Sequence, residues 1–66
     1  MTQVTEDQCY WDGDTLTHDP TGASIKRNTD FINYGRAGEV LEDGRHFDRN
    51  DVGAMLLRLM EEKKWR

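Results

Sequence analysis

Apolar and polar positions divide the chain into two unequal parts. Toward the end, Val52, Met55, Leu56, Leu59 and Met60 recur at the i, i+3, i+4, i+7, i+8 spacing of one helix face. The spacing predicts a helix over about 49–64. Asp48 reads as its N-cap, Asp51 holds the place of a capping-box acid, and Phe47 and Val52 occupy the two positions of a hydrophobic staple. Arg58 and Glu62 stand at i, i+4, and Lys63, Lys64 and Arg66 suit the negative end of the helix dipole. Gly53 costs such a helix about 1 kcal/mol relative to alanine, and suggests a close approach of the helix to the sheet. Leu57 lies off the apolar stripe and Trp65 follows the last regular turn, so these two residues point to a contact surface.

Before the helix come short alternating segments broken by turn signals. Asp12-Gly13 separates Cys9-Tyr10-Trp11 from Asp14-Thr15-Leu16-Thr17, a strong hairpin signal. A two-residue loop there sets Trp11 opposite Asp14, Tyr10 opposite Thr15 and Cys9 opposite Leu16, with Cys9, Trp11 and Leu16 on one face. Asp19-Pro20-Thr21-Gly22 is a second turn, in which Asp bonds back to the backbone and Pro presets φ. A third strand is expected from about Ala23 to Asn28, with Ile25 inward and Lys26 and Arg27 near the surface. Thr29 to Tyr34 reads either as a short strand or as a loop that drops aromatics onto the core. Gly35 and Gly38 bracket a turn, and Asp43-Gly44 gives a further hairpin with Glu42 opposite Arg45 and Val40 opposite Phe47.

These elements predict an α+β fold: an antiparallel β-meander of about three to five short strands packed against one C-terminal amphipathic helix. Residues 1–7 are expected as a loose tail and 8–66 as a single domain, its strands within 8–47. The expected core is Trp11, Leu16, Ile25, Phe31, Val40, Phe47, Val52, Met55, Leu56 and Leu59.

Length makes this fold marginal. For a chain of 66 residues, surface scaling gives roughly 4,000 Å² of buried apolar area, or about 100 kcal/mol. Ordering the same 66 residues at about 1.5 kcal/mol each offsets nearly all of it. A lone Cys9 excludes an internal disulfide, so a homodimer or stable binding to a larger protein is the expected source of further stability. No apolar run approaches the length of about 18 residues that a membrane span needs. The polar, acidic start from Met1 to Asp7 lacks the marks of a secretory signal, and a cytoplasmic location is expected.

Charge is distributed unevenly. Residues 1–24 carry five acids and no Lys or Arg, whereas 25–66 carry eight acids and nine bases. The first hairpin is thus an acidic edge, which repels a phosphate backbone and attracts a basic protein groove.

Chemistry is sparse. Cys9, His18 and His46 have none of the spacings of a zinc site, and no metal or cofactor is expected. His18 beside a turn and His46 in a hairpin arm read as exposed or half-buried. Cys9 with a histidine has the elements of a nucleophile and base, but its place beside Trp11 and Leu16 reads as that of a small hydrophobe. The glycines are scattered singly, without a phosphate-binding loop, so no enzyme activity is expected. Nucleic-acid binding is the competing reading, with Tyr10, Trp11, Phe31 and Tyr34 as stacking groups and Lys26, Arg27, Arg36, Arg45 and Arg49 along a backbone path. A pI near 4.9 opposes it. Mimicry of nucleic acid would need long carboxylate rows that the chain lacks.

A protein-binding module therefore fits best. Asp12, Asp14 and Asp19 would steer association, with Leu57 and Trp65 as apolar anchors. In size and build the whole chain is similar to accessory proteins of bacteriophages and mobile elements that bind and inhibit a host protein, a likeness carried by no motif. It implies occlusion or bridging of a site on a larger protein. The alternative, a small nucleic-acid-binding regulator, would use Tyr10, Lys26, Arg27, Tyr34 and Arg36.

Overall fold

The computed structural model describes residues 1–27 and 31–64, with helix side chains through Glu62. Asn28, Thr29, Asp30, Trp65 and Arg66 lie outside the described residues, as do the side chains of Lys63 and Lys64. A 3-10 turn, Glu6–Gln8, leads into β1 (Cys9–Asp12), β2 (Thr15–His18), β3 (Ala23–Lys26) and β4 (Ile32–Asn33), and α1 (Arg49–Lys64) closes the chain. The strands form one antiparallel sheet in the order β1-β2-β3-β4. The helix packs chiefly on β2 and β3. This is the expected α+β meander with one C-terminal helix.

The helix begins where the sequence places it. The Asp51 backbone N–H donates to the Asp48 carboxylate at 3.1 Å, and the Val52 N–H to the Asp48 carbonyl at 3.0 Å. Phe47 and Val52, the staple pair, are both fully buried. Val52, Leu56 and Leu59 form the buried stripe, with Met55 and Met60 packed against it. Gly53 does permit a close approach, but to a tyrosine from the loop rather than to the sheet backbone. A Cβ there would stand 3.2 Å from the Tyr34 ring, which also lies under the Arg49 guanidinium at 4.3 Å.

The first hairpin differs from expectation by a register shift. Its loop is Gly13-Asp14, with Gly13 at φ 61°, and Asp12 pairs with Thr15, Trp11 with Leu16, Tyr10 with Thr17 and Cys9 with His18. The positive φ is taken at the first loop position, where only glycine adopts it freely. The slip is by two residues, one full side-chain period, so Cys9, Trp11 and Leu16 still share the inner face. Ile25 and Ala23 continue that face on β3 and Ile32 on β4.

The Asp43-Gly44 hairpin departs more seriously. Its loop holds Glu42, Asp43 and Gly44: the Gly44 N–H donates to the Leu41 carbonyl at 2.9 Å, the Leu41 N–H to the Arg45 carbonyl at 2.7 Å, and Gly44 has φ 89°. A tight turn followed by a left-handed glycine makes a three-residue loop, one longer than expected. Val40 consequently pairs with His46 rather than Phe47. Because the slip is by one residue, it exchanges inside for outside: Leu41 is 7% exposed and Val40 65%. Arg45 binds Asp43 at 2.6 Å instead of Glu42, which pairs with Arg36 at 3.8 Å.

Three further expectations change. Phe31 is 79% exposed and forms no part of the core, while Trp11 and Met55 are only half-buried. His18, expected at least partly exposed, is fully buried, and Thr21, Ala23 and Leu41 are buried as well. Residues 1–7, expected as a tail, lie along the body. Thr2 bridges in parallel to Phe47, its N–H donating to the His46 carbonyl at 2.8 Å. Of the segment 29–34, Ile32 and Asn33 form the short β4, and Thr29 and Asp30 fall outside the described residues.

Two pairs of substitutions check this arrangement by urea denaturation. Leu41→Ala is expected to lower the unfolding free energy by about 2 kcal/mol or more, and Val40→Ala by under about 0.5 kcal/mol. Equal costs would refute the three-residue loop. Gly35 has φ 55°, and a Cβ there would meet the Thr21 carbonyl oxygen at 2.6 Å and the Ala23 nitrogen at 2.9 Å. Gly35→Ala should therefore cost more than about 2 kcal/mol, against about 1 kcal/mol for Gly13→Ala. Gly13 shares the positive φ but has open space around it.

Candidate functional site

The residues with chemistry lie in two places, a buried polar centre and the outer surfaces. At the centre the His18 ring packs edge-on against Phe47, centroids 4.9 Å apart. Its Nδ1 is 2.7 Å from the Thr21 hydroxyl and its Nε2 is 2.8 Å from the Gln8 Oε1. The Thr5 backbone N–H also donates to the Gln8 Oε1, at 3.1 Å, which fixes that atom as an acceptor. The ring therefore donates from Nε2–H, and the Thr21 hydroxyl donates to Nδ1 while accepting the Ala23 N–H at 3.2 Å. Every polar atom of this centre is satisfied with a neutral imidazole. Burial holds the His18 pKa below its ordinary value; Arg45 acts in the same direction, and Asp19 against it.

Cys9 stands directly opposite His18 in the sheet. Burial raises its thiol pKa, and Glu6 and Asp7 raise it further. With both ring nitrogens engaged by Thr21 and Gln8, the pair lacks the acid–base link that activates a thiolate. Among the described residues no group of three or more His, Cys, Asp and Glu is gathered in a way that could hold a metal.

The surface candidates spread over several faces. Asp12 and Asp14 sit at the β1–β2 tip, Asp14 within 4.0 Å of Arg27. Asp19 follows β2 at the opposite end of the sheet. Leu57 is 48% exposed on α1, away from the core stripe. Trp65 lies outside the described residues.

The alternative set is also divided. Tyr10 and Lys26 belong to the outer sheet face, with Thr17 and Thr15 as their β2 neighbours. Arg27 lies over the half-buried Trp11 ring at 5.7 Å. Tyr34 is held between Gly53 and Arg49, and Arg36 pairs with Glu42.

One feature was left undecided by the sequence, which offered Phe31 both as a core residue and as an exposed stacking group. Phe31 stands at the rim of an open groove of ≈ 570 Å³, whose lining includes Ile32, Tyr34, Ala37, Glu39 and Arg49. The ambiguity arose because the aromatic residues of 29–34 follow no clear period. No helix among the described residues is long and apolar enough to cross a membrane.

Comparison with protein-family models, curated proteins and solved structures gives no match.

The buried imidazole predicts how stability varies with pH. The unfolded chain takes up the His18 proton near pH 6.5 and the folded chain only at lower pH, so stability rises with pH between the two values. The contribution is complete above about 6.5 and is lost as pH falls below it. Unfolding free energy should thus decline from pH 7.5 toward 5, and His18→Gln should flatten that slope while lowering stability overall. An unchanged slope in the variant would refute the assignment.

Proposed function

We propose that this protein is a non-enzymatic protein-binding module, of the small accessory or inhibitor type, that occludes or bridges a site on a larger protein. The observation that carries the reading is Phe31, 79% exposed beside a groove that includes Tyr34 and Ala37. Exposed phenylalanine forgoes about 2 kcal/mol of burial, and aromatic residues, Phe among them, are enriched at protein interfaces. Val40 and Leu57 add exposed apolar surface. The acidic first hairpin supplies steering through Asp12, Asp14 and Asp19, and the protein acts by binding without turnover.

The test is affinity capture from host lysate with and without nuclease. One stoichiometric protein should survive nuclease and moderate salt. Phe31→Ala should weaken its retention roughly tenfold, about 1.4 kcal/mol, with the fold intact by circular dichroism. Neutralising the three aspartates should slow association severalfold at low salt and reduce its salt dependence. Nucleic acid retained without a protein, lost as salt rises or when Lys26 and Arg27 become alanine, would replace this reading with a nucleic-acid-binding one.

A further inference from the structure

β1 is an edge strand, paired on one side with β2 and, among the described residues, with nothing on the other. The Asp19 N–H donates to the Gln8 carbonyl at 2.9 Å, which fixes the alternation of the ladder. With Gln8 turned toward β2, so are Tyr10 and Asp12, and the backbone groups of Cys9 and Trp11 point outward. The Cys9 N–H bonds the Glu6 carbonyl in the preceding 3-10 turn. The Trp11 N–H and carbonyl and the Cys9 carbonyl have no backbone partner among the described residues. These three groups are spaced as one strand presents them to its next neighbour.

The charge around this edge selects what can pair with it. Glu6 and Asp7 stand at the start of β1, close enough to raise the Cys9 thiol pKa, and Asp12 ends the strand. Glu6 is partly offset by Arg58 at 3.6 Å, whereas Asp12 has no ion-pair partner among the described residues. A second copy of the chain would bring carboxylates against carboxylates in either strand orientation, which disfavours self-pairing. An incoming strand bearing Lys or Arg beside these positions meets opposite charge. The adjoining side chains are Tyr10, 49% exposed on the outer face, and the half-buried Trp11 on the inner.

We infer that the edge of β1, unpaired among the described residues, receives an extended, Lys/Arg-bearing segment of a partner protein as a fifth strand, bonded through the Trp11 N–H and carbonyl and selected by Asp12, Asp7 and Glu6. The inference rests on the protein-binding reading and names the chemistry of the partner at the acidic hairpin. β1 and β4 are the two opposite edges of the sheet, so this surface is separate from the groove beside Phe31.

The experiment uses the full ¹⁵N-labelled chain and two acetylated, amidated peptides, one alternating Lys with Val and the other Glu with Val. The Lys peptide should perturb Cys9 to Asp12 and slow exchange of the Trp11 amide at least ~tenfold at saturation. Its binding should weaken at least ~fivefold on raising salt from about 50 to 250 mM, and by a similar factor in Asp12→Lys. Asp12→Asn, which keeps size and shape, should give an intermediate loss and guards against a folding defect in Asp12→Lys. An unchanged Trp11 amide, equal binding of the Glu peptide, perturbation centred on the Phe31 groove, or self-association through β1 would each overturn the inference. Failure here with capture still dependent on Phe31 removes the edge site and leaves the protein-binding reading standing. Loss of capture would remove that reading itself.

Discussion

A buried histidine governs how this small fold is assembled. An imidazole withdrawn from water must have both nitrogens satisfied, or it costs more than a domain of this size retains. His18 meets that demand from two directions, with Thr21 in the following turn and Gln8 in the segment before β1. The turn is thereby closed with its hydroxyl inward, and the start of the chain is drawn against the sheet. Gln8 transmits the constraint by accepting from the Thr5 backbone and donating to the Gln3 carbonyl at 3.2 Å. The segment before β1 is thus held by these polar contacts together with Val4, which packs against the core.

Phe47 completes the same centre from the other side. It touches the His18 ring edge-on, lies beneath the Arg45 guanidinium at 5.6 Å and immediately precedes the helix N-cap. Its carbonyl accepts the Gly38 N–H at 2.9 Å, and its backbone bridges to Thr2. Five parts of the chain therefore meet at one buried pair: the first residues, β2, the turn at 35–38, the last hairpin and the helix. With no disulfide, such convergence is how a short chain limits the number of alternative packings.

The surface that remains is unevenly endowed. The apolar stripe of the helix and the inner sheet face are consumed by the core, and two of the four aromatics that sequence offered as stacking groups are engaged, Tyr34 against Gly53 and Arg49, and Trp11 beneath Arg27, while Tyr10 and Phe31 are exposed. The open surface includes a part-apolar groove near β4, the exposed Val40 and Leu57, and an acidic edge at β1 that is unpaired among the described residues. Surface ion pairs such as Arg58–Glu6 and Arg36–Glu42 contribute little to stability. They do shape the local field that a partner would meet.

The sequence by itself determined the elements whose signals are local. The helix from Arg49, its Asp48 cap and Phe47–Val52 staple, and the turn at Asp19 to Gly22 follow from side chains within a few residues of one another. The inner face of the first hairpin was legible even though its register was not, because a two-residue slip preserves side-chain parity. Tertiary structure alone decided the rest. Whether Asp43-Gly44 closes a two- or three-residue loop is a small local difference, settled when Leu41 rather than Val40 reaches the core. His18 gave no sign of burial, since its partners Gln8 and Thr21 become neighbours only after β1 and β2 pair and the turn closes. The exposure of Phe31 has the same origin: the interior is filled by Phe47, Leu41 and the helix stripe, and an apolar residue without a place there remains at the surface.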